Sequence, residues 1–215
     1  METWPNEVAI VFKHNPLSFH KQAMDAALAS MAAGKQGKFW EYHDKMFADY
    51  KGIKNLANLT KWGTELGLDM AKFDKDRKDP ALRKQLENEQ RAAVALGQRG
   101  TPAFLINGKA LSGAQPFDGF KTVIEAELKA ANDAIAKGTK LADVHAARVR
   151  ANLGAKASIY LDSLVNGKPA KAAPAPKRKP RPVDPTVWKV TMDDHNPIKG
   201  NKDALVTLVE WSDFQ

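Results

Sequence analysis

Two apolar segments at opposite ends of the chain constrain its fold more than any other feature. Residues 7–13, EVAIVFK, are apolar and β-branched and lie between Pro5 and the Asn15–Pro16 pair, and residues 205–211, LVTLVEW, have the same character. Each segment has the length and composition of a buried strand. Because an exposed apolar edge would pair or aggregate, the two strands should pair with each other, or one of them awaits a partner outside this sequence.

The pattern between these strands predicts a helical block followed by a hairpin and further helices. Residues from His20 to Leu96 favour helix, with interruptions at glycines and at Asp79–Pro80. TPAFLING then gives a short strand ending in Asn107–Gly108, the strongest local hairpin signal, and KALSG returns. Three further helices are expected at 116–136, 140–153 and 156–165. This order predicts an α/β fold.

Composition excludes several classes of function. Apolar residues make up 43% of the 215 residues, which is enough for one sizeable core. No stretch approaches the roughly 20 apolar residues of a membrane span, and METWPNEVAI does not resemble a secretion signal. The chain has no cysteine, so it can form no disulfide, thiolate nucleophile or cysteine metal site. His14, His20 and His43 lack metal-ligand spacing, and neither a metal nor a cofactor is expected.

The positive charge is concentrated in one short tract. The net charge is +8, but six basic residues and no acid lie between Lys168 and Pro182, which leaves +2 for the rest. That tract, KPAKAAPAPKRKPRP, is also rich in Pro and Ala, so it predicts an extended linker. Nucleic-acid binding through the tract is the less favoured interpretation.

Five segments resemble the DsbA-like branch of the thioredoxin superfamily, the bacterial thiol–disulfide oxidoreductases. They occur in compatible order as VAIVFKHNPLSFH (8–20), GKFWEYHDKMFAD (37–49), GTPAFLINGK (100–109), PFDGFKTVIEAEL (116–128) and NPIKGNKDALVTLVEWSDFQ (196–215). The resemblance implies a thioredoxin-like fold with a helical subdomain inserted at about 20–98. It divides the chain into a thioredoxin-like domain lacking its first strand (1–137), a helical extension (138–167), the linker (168–186) and the first strand of a second or permuted domain (187–215).

The family's catalytic motif is missing from both ends of the resemblance. In the family, Ser-Asp-Phe-Gln is followed directly by Cys-x-x-Cys, whereas Gln215 is the last residue here, and Met1 resembles a position within the helix that carries that motif. The resemblance therefore implies a segment between two tandem active-site motifs, with thiols expected directly after Gln215. The C-terminal strand could complete the N-terminal sheet as a circular permutation, or enter a neighbouring molecule in a domain-swapped oligomer.

The resemblance also implies roles for four residues. Thr101–Pro102 matches the cis-proline loop that lies beside the disulfide and binds substrate. Glu210 and Lys13 match a buried acid and a lysine near the thiols that assist proton transfer. Charges within apolar strands are costly unless paired, so the two could meet if their strands are neighbours. The alternative is that each lies at an edge and reaches water.

Two main functional hypotheses and a weaker third follow. The first is a DsbA-like thiol–disulfide oxidoreductase unit, inactive as a cysteine-free chain. Its full-length protein would exchange disulfides with cysteine-containing or unfolded proteins and a redox partner, in the periplasm or another exported location. The second is a non-catalytic thioredoxin-fold module that binds peptides near Pro102. The third is an anionic-polymer binder acting through 168–182.

Overall fold

The computed structural model of the protein describes residues 3–170, 198–201 and 204–212. The predicted linker at 168–186 lies outside the described residues from residue 171 onward, as does the approach to the last strand up to residue 197. Anion binding by the basic tract therefore stays a prediction from sequence.

Five strands form one mixed sheet in the order β3-β2-β5-β1-β4. They are β1 (Val8–His14), β2 (Ala103–Ile106), β3 (Lys109–Ser112), β4 (Ile198–Lys199) and β5 (Val206–Ser212). The backbone N–H of Val206 donates to the carbonyl of Glu7, and that of Asn15 donates to the carbonyl of Ser212, so β5 runs parallel to β1. β5 is antiparallel to β2. The two terminal strands of the chain are thus neighbours, and β5 is bonded along both edges.

The hairpin between β2 and β3 follows directly from its turn residues. Ile106 pairs with Lys109, which leaves Asn107 and Gly108 as a two-residue loop. Both loop residues have positive φ, +46° and +93°, and this conformation is one that Asn and Gly adopt more readily than other residues.

Eight α-helices lie in the described part of the chain. They are α1 (Ala23–Gly34), α2 (Phe39–Ala48), α3 (Ala57–Glu65), α4 (Met70–Asp76), α5 (Pro80–Ala95), α6 (Phe117–Ala136), α7 (Leu141–Leu153) and α8 (Ala157–Tyr160). Short 3₁₀ turns occupy Gly52–Lys54 and Gly154–Lys156, and a π-helical turn at Leu161–Val165 continues α8. No helix among these residues is both long enough and apolar enough to cross a membrane.

The sheet has an apolar cluster on each face because alternate side chains point in opposite directions. Leu105 and Trp211 contribute to one cluster, which is completed by the end of α5, by α7 and by α8. Ile106 and Leu208 contribute to the other, which is completed by Ile124 of α6. The helices predicted as an extension after residue 138 therefore supply core residues to the sheet.

Contacts divide the described chain into two compact units. The first unit comprises the described residues of Met1–Lys13 and Arg91–Trp211 and contains most of the sheet. The second unit is mainly helical and consists of His14–Gln90 together with the described end of the chain at Ser212. The helical unit starts earlier and ends earlier than the 20–98 segment predicted from sequence. It ends earlier because Ala92, Ala93 and Leu96 are buried in the cluster of the sheet unit.

The helical unit has its own small core. α1 is an alanine-rich helix buried over most of its length, since small side chains let neighbouring helices approach closely. One apolar cluster of this unit contains Ala27, Leu28, Met31, Leu82 and Leu86. The hydroxyl of Tyr42 donates to the carbonyl of Leu59 at 2.7 Å, which joins α2 to α3.

Candidate functional site

Thr101, Pro102 and Glu210 lie at the same end of the sheet. Ala103, the first residue of β2, pairs with Trp211 near the end of β5. Thr101 and Pro102 directly precede β2, and Glu210 pairs with Phe104 two residues beyond Pro102. The topology therefore brings together the cis-proline loop and the acid that the sequence predicted for the site.

The peptide bond between Thr101 and Pro102 is cis. Both residues are half-buried, and the carbonyl of Pro102 accepts a hydrogen bond of 2.9 Å from the backbone N–H of Gly113. This bond joins the loop before β2 to the residue that follows β3. The loop is therefore held by β2, into which it continues, and by the hydrogen bond to Gly113 after β3.

Glu210 is a partly buried carboxyl on an otherwise apolar strand. Its partner in the register, Phe104, packs edge-on against Phe120 of α6, with ring centroids 4.8 Å apart. Burial raises the pKa of Glu210 from 4.5 to about 7. No group among the described residues forms a hydrogen bond or ion pair with this carboxyl. A carboxyl with a pKa of about 7 changes its protonation state near neutral pH, as a proton-transfer residue must.

Lys13 does not meet Glu210, so the predicted pair is wrong in this structure. Lys13 shares the face of Val11, and Glu210 shares the opposite face with Leu208. The ammonium of Lys13 instead donates to the carbonyl of Leu164 at 3.3 Å. Lys13 is only 1% exposed, so it does not reach water from an edge either.

A buried ion pair between α6 and α7 was missed from the sequence. Glu127 is fully buried and accepts hydrogen bonds from Nε and Nη2 of Arg148, each at 3.0 Å. Lys109 approaches the same carboxylate at 3.2 Å. The signal was present, because Glu127 falls three residues after Ile124 and four before Ala131, within the buried stripe of α6.

The histidines of the helical unit form aromatic contacts. His20 packs edge-on against Phe19 with ring centroids 4.6 Å apart, and His14 packs against Phe39 at 6.0 Å. His43 lies 2.8 Å from the carboxylate of Asp44. Within the residues that the structure describes, no three metal-ligating side chains cluster together.

Comparison with known proteins identifies a matching family model and several relatives. The family model of the DSBA-like thioredoxin domain matches residues 1–125. A Na(+)/H(+) antiporter NhaA of Herminiimonas arsenicoxydans is 33% identical over 121 residues, which is 56% of this chain and 19% of the antiporter. NhaA 1 of Salinispora arenicola is 33% identical over 118 residues, 54% of this chain and 18% of that protein. The chain thus matches about a fifth of the length of these relatives. No solved structure gives a significant match.

Proposed function

The chain belongs to the DSBA-like thioredoxin domain family, and from this premise we propose that it is a unit of a thiol–disulfide oxidoreductase. In this proposal it supplies the substrate-binding loop and a proton-transfer carboxyl, while the reacting thiols come from residues outside this sequence. The observation that carries the proposal is the position of Pro102 and Glu210 at one end of the sheet. The absence of cysteine from all 215 residues makes external thiols a requirement of the proposal.

The chemistry needs a proton acceptor and donor beside the sulfurs. In disulfide exchange a substrate thiolate attacks one sulfur of a disulfide and forms a mixed disulfide, which a second substrate thiolate then resolves. The substrate is oxidised to a disulfide, and its two electrons reduce the attacked disulfide to a pair of thiols. A carboxyl with a pKa of about 7 can take the proton from the attacking thiol and return it to the leaving thiolate. The loop at Thr101–Pro102 would hold the substrate chain in an extended conformation at the sheet end.

We also propose that the chain is a circularly permuted thioredoxin-like domain with a helical insertion. The central position of β5, between β1 and β2, supports the permutation. The separate helical unit that follows β1 supports the insertion. In this arrangement, the family's helix bearing the thiols would connect the end of β5 to the start of β1.

The substrates in this proposal are unfolded or cysteine-containing polypeptides in an exported compartment such as the periplasm. Cation antiport is not part of the proposal. The matched stretch is only 19% of the Herminiimonas antiporter.

The test compares two proteins in dithiothreitol-dependent insulin reduction. The chain itself should give no turnover above the uncatalysed rate, because it has no thiol. In the second protein, residues 198–215 are placed before Met1 and joined to it by a helical crossover that begins with Cys-x-x-Cys. This variant should be active, and the same variant with Ser-x-x-Ser is the matched control. A soluble, folded Cys-x-x-Cys variant with no activity above the control would contradict the proposal.

A non-catalytic peptide-binding module is the second candidate, and the cysteine-free composition favours it. In that case the chain should bind extended peptides at Pro102 without any thiols. Amide chemical shifts of Ala103 and Gly113 during peptide titration would report such binding. Binding together with an inactive Cys-x-x-Cys variant would establish the module and exclude the oxidoreductase.

A further inference from the structure

The two C-terminal strands hold β1 from both of its edges. β4 pairs with one edge through the pairs Ile10–Lys199 and Val11–Ile198, and β5 lies along the other edge. Only residues 200–205 separate β4 from β5 in the sequence. One short and continuous segment, residues 198–212, therefore pairs with both edges of β1 and fills the slot between β1 and β2.

Burial of β5 supplies a large part of the recognition of this segment. Val206 and Trp211 are fully buried and Leu208 is 6% exposed, so the strand contributes to the clusters on both faces of the sheet. Burial of large apolar side chains is among the main favourable contributions to folding and association. The slot without its strand would expose the facing apolar residues of β1 and β2.

Asn107 makes the recognition specific for register. Its backbone N–H donates to the carbonyl of Thr207, its Oδ1 accepts from the N–H of Thr207, and its Nδ2 donates to the carbonyl of Leu205, each at 3.0 Å. Asn107 is fully buried, and Asn152 of α7 donates to its carbonyl at 3.0 Å. A slip of β5 by one residue would break these bonds and move Glu210 to the opposite face.

We propose that the slot between β1 and β2 is a strand-recognition surface that also accepts β4 and β5 of a second copy of this chain. Each contact of β4 and β5 described above is made with residues before 171. The same contacts therefore form whether the two strands come from the same copy or from another. The 27 residues of 171–197 span up to about 90 Å when fully extended, which is enough to reach a neighbouring molecule. Protein concentration then sets the balance between closed monomers and strand-exchanged dimers.

The experiment uses two variants of the 215-residue chain, Ile106→Cys and Leu208→Cys. These positions face each other across β2 and β5, and the chain has no other cysteine to compete. One variant carries a mass tag, and the two are mixed and then oxidised gently. Exchange should give a disulfide-linked heterodimer on non-reducing gels. Because the step is bimolecular, tenfold dilution should lower the linked fraction about tenfold in the dilute range.

The matched control mixes Ile106→Cys with Thr207→Cys. Thr207 is adjacent on β5 but points to the other face, so a specific exchange gives little product with this pair. The proposal is overturned if the Leu208→Cys mixture gives no more heterodimer than this control. It is equally overturned if native mass spectrometry of mixed isotope-labelled and unlabelled wild-type chains shows no mixed dimers at high concentration. Neither readout depends on thiol exchange with a substrate, so this outcome is independent of the proposed function.

Discussion

The two charged residues within the apolar strands, Glu210 and Lys13, have different environments and different consequences. Glu210 has no ion-pair partner in the described residues, and its pKa is raised to about 7 by burial. Lys13 lies on the other face of the sheet and donates to a backbone carbonyl of the π-helical turn. The first residue therefore belongs to the candidate site, whereas the second anchors a helix to the sheet.

The stability of the protein should fall as the pH rises through the titration range of Glu210. Its pKa in the folded state, about 7, lies above the unfolded value of 4.5. The favourable contribution of the protonated carboxyl is complete below pH 4.5 and is lost as the pH rises through 7. The loss is on the order of 2–3 kcal/mol. Urea unfolding monitored by tryptophan fluorescence at pH 5 and pH 8 measures it.

Glu210→Gln should remove this pH dependence, because glutamine stays neutral. The matched control is Glu125→Gln, which changes an exposed acid on α6 and should leave the wild-type pH dependence in place. If the free energy of unfolding changed by the same amount between pH 5 and pH 8 in wild type and in Glu210→Gln, the raised pKa of Glu210 would be contradicted.

Lys13 and Glu210 should be energetically independent. A double-mutant cycle with Lys13→Met and Glu210→Gln measures their interaction in urea unfolding at pH 8. Because the two side chains lie on opposite faces of the sheet, the coupling free energy should be below about 0.5 kcal/mol. A coupling free energy above about 1.5 kcal/mol would contradict the placement on opposite faces and support the ion pair expected from the sequence.

The sequence was enough to single out these residues but not to place them. A charge in an apolar strand is visible without a structure, and so is the Thr101–Pro102 step. Which face a strand residue occupies depends on register, and a shift by one residue reverses it. Here the register of β5 is fixed partly by Asn107, about 100 residues away, and no local pattern reports that contact.

At the level of elements, α6 and α7 are joined by a buried ion pair. Arg148 binds the buried carboxylate of Glu127 through two nitrogens and also donates to Asn152 at 3.2 Å. The existence of both helices followed from local periodicity. Their attachment through Glu127 did not, since a helical pattern does not identify the partner of a buried charge.

Arg148→Met should destabilise the protein by about 2–3 kcal/mol, because the buried carboxylate of Glu127 would lose its two bonds from Arg148 and, among the described residues, would keep Lys109 as its cationic partner. The control is Arg150→Met, an exposed change two residues along the same helix, with an expected effect within about 0.5 kcal/mol. Urea unfolding at pH 7 measures both. A loss equal to that of Arg150→Met would mean that the ion pair contributes little to the attachment of α7.

The whole molecule shows that strand order in space need not follow strand order in the chain. β5 is the last strand in sequence and the central strand in the sheet, and its contacts with β1 and β2 are between distant residues. The sequence indicated this closure only through the two apolar strands at its ends. If these contacts define the fold, β5 should occupy the same position in the sheet whichever connection joins it to the rest of the chain.

Moving residues 198–215 ahead of Met1 should therefore preserve the fold. Because β5 and β1 are parallel, the new connection must be a crossover of about a dozen residues or more, preferably helical. With Ser-x-x-Ser at the start of the crossover, the variant should unfold cooperatively with a stability at least equal to that of the parent. Hydrogen exchange should show the amide of Thr207 protected in both proteins, since it donates to Asn107. Loss of that protection, with aggregation, would show that β5 needs its original connection to occupy the slot.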